Sequence, residues 1–352
     1  MPTITLNGKT VEARNGQTIL DVARANGVYI PSLCFHPKVG QAAVCRVCAV
    51  EVEKTNGPVM SCATPIRDGM VVHTETDALI QTRRMVVDLL LSNGEHDCVS
   101  CDIDGMCELQ EVARRLGIEK PSEAWMETPA SVDLSHPLIV RNPNRCIHCG
   151  RCVKGCNTTV INEVLDVAFR GHHLLVVSDL GVPLGESSCV ACGECVQLCP
   201  AGALVESKAR RQGDRWNLEK VRTTCPYCGV GCQVYLHVDR KNNRVIKVTG
   251  VEGAPPNDGM LCVKGRFAYD FPSSSRRLTR PLIKKNGKHE AVSWDEALDY
   301  TASRLRQIRA AHGPDSISAV SSSRDDNENC YATQKFMRAV LGTNNVDNCA
   351  RT

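Results

Sequence analysis

Cysteine is the residue whose number and spacing in this sequence point to a definite chemistry. The chain has 352 residues and 21 cysteines, and all but Cys330 and Cys349 fall into five groups. Along the chain the groups are Cys34, Cys45, Cys48, Cys62; Cys98, Cys101, Cys107; Cys146, Cys149, Cys152, Cys156; Cys189, Cys192, Cys195, Cys199; and Cys225, Cys228, Cys232, Cys262. Thiolates at such spacings are the usual ligands of iron–sulfur clusters. The sequence therefore predicts a chain of clusters that moves electrons one at a time.

The composition argues against several other classes of protein. The formal net charge is +3, the arginine pairs are scattered and aromatic residues make up only 4%, so no nucleic-acid surface is predicted. No apolar run approaches the ~18 residues of a membrane span, and the first residues do not resemble a signal peptide. A disulfide framework would need an oxidising compartment, to which nothing in the sequence directs the chain. We therefore expect a cytoplasmic protein with reduced thiols.

The first group leaves 10, 2 and 13 residues between its successive cysteines. One wide loop would bring three of these thiolates together, and a later strand would supply the fourth. This pattern is typical of a [2Fe–2S] centre in a β-grasp fold. The alternative is a four-cysteine zinc site, although zinc sites usually pair two short Cys-x₂₋₄-Cys arms.

The second group has only three thiols, so a fourth ligand must come from elsewhere in the chain. His96 stands two residues before Cys98 and is the obvious donor. A lone histidine near a cysteine is more often simply solvated. The missing ligand is the reason to favour coordination by His96.

The third and fourth groups repeat the pattern Cys-x-x-Cys-x-x-Cys-x-x-x-Cys. In bacterial ferredoxins with this pattern, the fourth cysteine of each motif ligates the other [4Fe–4S] cluster. The expected ligand sets are therefore Cys146, Cys149, Cys152 and Cys199 for one cluster, and Cys156, Cys189, Cys192 and Cys195 for the other. The usual proline is present as Pro200, whereas Asn157 replaces it in the first motif.

The fifth group opens with Cys225, Cys228 and Cys232 and closes at Cys262, within Leu261-Cys262-Val263-Lys264-Gly265. Glycines beside the ligands let backbone N–H groups approach the sulfur atoms, which is one way in which a protein sets a cluster's potential. We expect a fourth [4Fe–4S] site here.

Turn and capping signals predict the elements that must position the first two groups. Residues 3–6 and 9–13 flank Asn7-Gly8, which is the strongest short signal of a β-hairpin. A helix is predicted from about Thr18 to Asn26, with Asp21 completing a capping box. Another is predicted over residues 77–91. A hairpin, a helix and a long cysteine loop indicate a small β-grasp module.

The pattern changes to alternating strands and helices from about Ser273. Ser293 to Glu296 match a capping box, which predicts the beginning of a helix. The apolar run from Ile317 to Val320 predicts a buried strand. A second helix is predicted over residues 327–341. Cys330 and Cys349 are interpreted as small buried residues.

Two stretches resemble known families. Cys107-Glu108-Leu109-Gln110 and the second cysteine group resemble the His(Cys)₃ [4Fe–4S] domain of respiratory complex I, iron-only hydrogenases and soluble formate dehydrogenases. Many members place the histidine four residues before the first cysteine, where this chain has Gly94, and some diaphorase-type members place it two before. The resemblance implies that His96, Cys98, Cys101 and Cys107 hold a cluster.

The fifth group resembles the N-terminal [4Fe–4S] domain of molybdenum or tungsten bis-pterin oxidoreductases, formate dehydrogenases above all. In that family the lysine matching Lys264 lies between cluster and pterin, and the resemblance implies a role for it in electron transfer. Arg280-Pro281-Leu282, residues 293–297 and residues 341–347 also resemble the opening of the pterin domain. The order of the modules resembles the alpha subunit of a cytoplasmic NAD(P)- or ferredoxin-linked formate dehydrogenase.

The expected fold is therefore a multidomain α+β chain. Its segments are a [2Fe–2S] β-grasp ferredoxin domain at 1–78, a His(Cys)₃ [4Fe–4S] domain at 79–120, a bacterial-type 2×[4Fe–4S] ferredoxin domain at 138–208, a bis-pterin-type [4Fe–4S] domain at 218–274, and at 275–352 an incomplete start of the α/β molybdopterin oxidoreductase fold.

The resemblance implies an oxidoreductase that interconverts formate with CO₂, a proton and two electrons. Its cofactors would be one [2Fe–2S] cluster, four [4Fe–4S] clusters and, in the full-length protein, a molybdenum or tungsten bis-molybdopterin guanine dinucleotide. Expected partners are an NAD(P)H-diaphorase-type flavin and iron–sulfur subunit, a ferredoxin or a hydrogenase subunit.

In that family the metal ligand, cysteine or selenocysteine, follows the stretch that matches residues 348–352. Selenocysteine is encoded by UGA, so we expect the N-terminal part of a selenoenzyme, with its catalytic residue just after Thr352 and no catalysis by these residues alone. The alternative is a stand-alone iron–sulfur electron-transfer subunit. An iron-only hydrogenase shares the first four cysteine groups, but its catalytic cysteine motifs are absent.

Overall fold

The fold begins with the hairpin that Asn7 and Gly8 predict. In the computed structural model, which describes residues 1–123, 130–213 and 215–351, both turn residues have positive φ, 49° and 81°. They join strand β1 (Thr3–Leu6) to β2 (Lys9–Glu12) in antiparallel register, with Leu6 opposite Lys9. Helix α1 (Ile19–Ala25) follows, and Thr18 and Asp21 form the predicted capping box. The hairpin and the first helix are thus confirmed.

The chain divides into two compact units, Met1–Lys220 with His237–Lys247, and Val221–Leu236 with Val248–Thr352. The first unit adds strands β3 (Ala49–Val52), β4 (Val59–Met60) and β5 (Val71–His73), helices α2 (Asp77–Ser92) and α3 (Glu108–Arg115), strand β6 (Ile139–Arg141), helix α4 (Arg151–Lys154), strands β7 (Leu165–Ala168) and β8 (Leu175–Ser178), helix α5 (Glu194–Leu198) and strand β9 (Leu204–Glu206). Three longer strands follow, β10 (Glu219–Thr224), β11 (Gln233–Asp239) and β12 (Arg244–Gly250).

The first five strands form one mixed sheet in the order β2-β1-β5-β3-β4. β1 pairs in parallel with β5, and the remaining neighbours are antiparallel. α1 buries Ile19, Leu20 and Val22 against the core of this sheet. A mixed sheet with one helix packed on it is the β-grasp arrangement expected from the sequence.

Two hydrophobic cores lie within the first unit. The first is built on β1, α1, β3 and β5 and includes Cys48 and Cys62. The second joins residues of α2 and α3 with Cys34, Cys45 and Cys149. Because the second core takes residues from the first three predicted modules, those modules are packed together.

The second unit continues with helix α6 (Val263–Phe267), strands β13 (Leu282–Lys285) and β14 (Lys288–Ala291), helix α7 (Trp294–His312), strand β15 (Ala319–Ser321), helix α8 (Asn327–Lys335) and strand β16 (Val346–Asn348). Ser293 caps α7 by accepting a hydrogen bond from the backbone N–H of Glu296, so the helix begins where the sequence predicts, while the Glu296 carboxylate pairs with Lys285. No helix among the described residues is both long and apolar enough to cross a bilayer.

Two expectations for the second unit are wrong. The strand predicted at Ile317 to Val320 is β15, and the Val320 side chain is 70% exposed. β15 pairs only with β16, and a two-stranded pair cannot bury both of its faces. Cys349 is exposed and Cys330 is half-buried, so neither is the buried core residue that was predicted.

Candidate iron–sulfur centres

The four cysteines of the first group are all buried and lie beside one another. The Cys34 thiol is hydrogen-bonded to the thiols of Cys45 and Cys62, and Cys62 is also hydrogen-bonded to Cys48. The loop over residues 33–48 supplies three of these thiols. Cys62 comes from the turn after β4, whose Ser61 hydroxyl donates to the Cys48 carbonyl over 2.8 Å. The loop and the later turn therefore converge as the spacing predicts.

The four thiols are coupled by their mutual hydrogen bonds. Bonds from Cys45 and Cys62 lower the pKa of Cys34, and the bond from Cys62 lowers the pKa of Cys48. Thiolates are the form that binds metal. A buried set of four adjacent sulfur atoms fits a [2Fe–2S] cluster.

His96 has a buried ring nitrogen. Its Nε2 atom is enclosed and makes no hydrogen bond to any residue that the structure describes. Burial, reinforced by the neighbouring charge of Arg145, lowers the pKa of His96 to about 4, so the imidazole is neutral at physiological pH. A neutral imidazole with an unused nitrogen is what metal coordination requires. The residue fits the role of fourth ligand beside Cys98, Cys101 and Cys107, and that assignment stays a prediction.

Gly94 explains how a histidine at position 96 can replace one at position 94. A Cβ atom at residue 94 would lie 2.6 Å from the carbonyl oxygen of Asn144 and 2.9 Å from Nε2 of His96. The imidazole therefore occupies the space into which a side chain at position 94 would begin to project. Only glycine leaves room there for the His96 ring.

Replacing Gly94 with alanine tests this packing. Gly94 does not have positive φ, so the substitution is limited by space and not by backbone conformation. We expect Gly94→Ala to displace the His96 ring or the Asn144 backbone, to lower the free energy of unfolding by about 1–3 kcal/mol, and to reduce the iron content. Anaerobic iron analysis and thermal unfolding measure both effects. Glu95→Ala, at an exposed neighbouring position, serves as the control, and wild-type iron content in the Gly94 variant would contradict the argument.

The predicted ligands of the third group converge on one cavity. The cavity contains about 560 Å³ of space not filled by atoms, part of it open to solvent. Its lining includes all four predicted ligands, Cys146, Cys149, Cys152 and Cys199. Burial raises the pKa of Cys149 to about 12, and Cys199 contributes to the rise through its negative charge. The sulfur-lined space fits a cluster, whose iron atoms would offset the cost of burying thiolates.

Strand pairing brings Cys199 to this cavity. β6 ends five residues before Cys146, and β9 begins five residues after Cys199. The two strands pair antiparallel, with Arg141 opposite Leu204, so both cysteines leave the pair at the same end. This strand pairing is consistent with the predicted exchange of the fourth cysteine between the motifs.

The fourth group has the same local backbone as the third. His148 and Ala191, at equivalent positions in the two motifs, both have positive φ (51° and 55°), and Gly150 and Gly193 both precede a short helix in the left-handed conformation. The internal repeat predicted from the sequence is thus a repeat of structure. Cys189 interacts electrostatically with Cys192 and Cys156, the residue expected to cross over.

The fifth group lies in the second unit and also converges. Cys232 interacts electrostatically with Cys225, Cys228 and Cys262. The Cys225 backbone N–H donates to the Cys232 carbonyl over 2.8 Å and closes the loop. Lys264 is exposed on α6, two residues after Cys262. Four thiols around a glycine-rich loop fit a [4Fe–4S] cluster.

Within the residues that the structure describes, no three or more His, Cys, Asp or Glu side chains converge as ligands of one metal ion. A cluster spreads its ligands over several iron atoms, so its thiolates need not point at one centre. None of the 21 cysteines forms a disulfide with another residue of the part of the chain that the structure describes.

Two charged pairs between the cysteine loops were not found from the sequence. Arg151 is 2% exposed, and its guanidinium donates to the Glu108 carboxylate and to the carbonyls of Ser32 and Phe35. Lys38 forms a buried ion pair with Glu194. Each charged residue stands close in sequence to a predicted ligand, but nothing local indicates its partner more than 40 residues away. These pairs hold the cysteine loops of the first unit in place.

Comparisons with known proteins match every part of the chain. Residues 1–77 match a 2Fe-2S iron-sulfur cluster binding domain, 83–122 an NADH-ubiquinone oxidoreductase-G iron-sulfur binding region, 136–205 the ferredoxin-like domain of NADH-quinone oxidoreductase subunit 3, 218–274 a molybdopterin oxidoreductase Fe4S4 domain, and 277–352 a molybdopterin oxidoreductase.

Among curated proteins, the chain is 36% identical over 351 residues to the alpha subunit of an NADPH-Fe(3+) oxidoreductase from Geobacter sulfurreducens, covering 100% of this chain and 40% of that protein. It is 33% identical over 390 aligned residues to a Staphylococcus aureus protein that is provisionally named a formate dehydrogenase, covering 99% of this chain and 39% of that protein. The chain thus spans about 40% of the length of these relatives.

A solved structure shares the fold of more than half of the chain. A chain of an NAD+-reducing [NiFe]-hydrogenase matches with a TM-score of 0.57 and 32% sequence identity, over 60% of this chain and 90% of that one. The fold and the cysteine sites therefore define an iron–sulfur electron-transfer protein of the oxidoreductase class. Its residues 83–122 and 136–205 match iron–sulfur regions of the NADH-quinone oxidoreductase type, and residues 277–352 match a molybdopterin oxidoreductase.

Proposed function

We propose that this chain is the electron-relay half of a formate dehydrogenase, which interconverts formate with CO₂, a proton and two electrons. The observation that carries the proposal is the convergence of Cys225, Cys228, Cys232 and Cys262 directly before a segment that matches a molybdopterin oxidoreductase. The similarity to the Staphylococcus aureus protein supports formate as the substrate.

The proposed cofactors are one [2Fe–2S] and four [4Fe–4S] clusters, on the ligand sets predicted from the sequence, and a molybdenum or tungsten bis-molybdopterin guanine dinucleotide in the complete protein. Bound clusters supply sites that accept and release single electrons. The chain's own residues bury the thiolates, exclude water from them and hold the loops at fixed separations. The positively charged Lys264 is proposed to lie between the last cluster and the pterin and to assist electron transfer between them.

A second candidate is an iron–sulfur subunit of a diaphorase or hydrogenase complex. It is favoured by the match of 60% of this chain to a chain of an NAD+-reducing hydrogenase. Under both candidates, the proposed partner is a subunit that exchanges electrons with NAD(P)H. The two differ in whether electrons enter from formate.

Formate-dependent reduction of a viologen dye separates these candidates. We expect the complete protein, purified anaerobically with its partner, to contain molybdenum or tungsten and to reduce the dye with formate. Cys225→Ala should keep molybdenum or tungsten but reduce the dye at least tenfold more slowly. Electrons from formate would have to pass through the cluster of the fifth cysteine group, which this change disrupts. Cys330→Ala, outside the five groups, is the control. Dye reduction by NAD(P)H alone, without formate activity or either metal, would favour the second candidate.

A further inference from the structure

Arg145 is a buried cation whose hydrogen bond is to a cluster thiol. It is 8% exposed, and its Nη1 atom lies 2.6 Å from Sγ of Cys101. Its Nε atom is buried without a partner. Among the described residues, no carboxylate forms an ion pair with it, in contrast to Arg151, which pairs with Glu108. Burying a guanidinium without a countercharge costs several kcal/mol.

The thiolates of the second cysteine group are the anions placed to offset this cost. The backbone of Arg145 is fixed by its position in the 3₁₀ turn Pro143–Arg145, which Asn142 caps and which leads into Cys146. The side chain therefore reaches from the loop of one predicted cluster to a ligand of another. A neutral residue would fill this place at lower cost if packing were its only function.

We propose that Arg145 is a positioning residue that raises the reduction potential of the cluster held by His96, Cys98, Cys101 and Cys107. The inference rests on the proposed binding of a cluster by these four residues. When one electron enters that cluster, its negative charge grows by one, and no bond is made or broken. A fixed positive charge in contact with a ligand sulfur stabilises the reduced state more than the oxidised state, and the low dielectric of the interior strengthens the effect.

The second cysteine group differs from a group of four thiolates in two ways. One of its predicted ligands is a neutral histidine, and a buried guanidinium contacts one of its thiols. Both changes make its surroundings less negative. We therefore infer that this site holds electrons more strongly than it would with the same ligands alone.

An EPR-monitored redox titration of the complete protein, with dithionite as the electron donor, tests the proposal. The signal of this cluster is identified as the one that disappears in Cys101→Ala. We expect Arg145→Gln, which keeps an N–H donor but loses the charge, to lower the reduction equilibrium constant at least tenfold, or ~59 mV for a one-electron couple. Arg145→Lys should restore most of the wild-type potential. Arg114→Met, at an exposed arginine of α3, should change nothing.

The outcomes separate the inference from the proposed function. An unchanged potential in Arg145→Gln overturns the role of the charge while leaving the cluster assignment intact. Equal shifts in the glutamine and lysine variants also overturn it, since packing would then be the cause. If the glutamine variant loses this cluster and the lysine variant keeps it, the requirement for a positive charge is supported. Absence of any signal that depends on Cys101 in the wild-type protein would refute the cluster assignment itself.

Discussion

Cys199→Ala is expected to remove about four iron atoms per chain, and they should come from the cluster of the third cysteine group. Cys199 stands in sequence with the fourth group, but it lines the same cavity as Cys146, Cys149 and Cys152. The antiparallel pairing of β6 with β9 places it there. Anaerobic iron analysis of single and double variants measures the effect.

Iron counts in double variants decide which cysteines share a cluster. If Cys199 and Cys149 bind the same cluster, Cys149→Ala combined with Cys199→Ala loses no more iron than either change alone. Cys192→Ala combined with Cys199→Ala should then lose about eight iron atoms, because two clusters are removed. The reverse pattern, in which Cys192 and Cys199 behave as one unit, would refute the exchange of ligands between the motifs.

Arg151→Met is expected to lower the free energy of unfolding of the first unit by about 3 kcal/mol, at the lower end of the range for breaking a buried ion pair. The loss leaves the carbonyls of Ser32 and Phe35 without their donor. Glu108 is half-exposed, and water can solvate its carboxylate once the arginine is gone. The midpoint of guanidinium unfolding, followed by cluster absorbance under argon, measures the change.

The partner residue provides a matched control. Glu108→Gln keeps a hydrogen-bond acceptor for Arg151 and leaves both backbone carbonyls paired, so we expect a cost of about 1 kcal/mol. If the two variants were equally stable, the bonds from Arg151 to Ser32 and Phe35 would not contribute to stability.

The sequence predicted the local features well, because each depends on residues close together in the chain. The hairpin follows from Asn7-Gly8, the first helix from the capping box of Thr18 and Asp21, and the internal repeat from its cysteine spacing. The beginning of α7 was likewise set by Ser293. Ligand candidates could be read in the same way, since cluster motifs are short.

Long-range packing could not be read from the sequence. Lys38 and Glu194 are 156 residues apart, and neither carries a local sign of the other. The requirement for glycine at position 94 could not be predicted from the sequence either. It depends on the carbonyl of Asn144, 50 residues further along the chain, which lies where a Cβ atom would be. The exposure of Val320 could not be inferred because an apolar run predicts a strand but not what covers it.

The first cysteine group stands where the two hydrophobic cores meet, with Cys48 and Cys62 in one and Cys34 and Cys45 in the other. A close-packed interior has low compressibility. Neighbouring centres in such an interior keep nearly constant separations, and few water dipoles must reorient when an electron moves between them. With a cluster bound at the junction of the cores, the close packing would keep the reorganisation energy of an electron transfer there small.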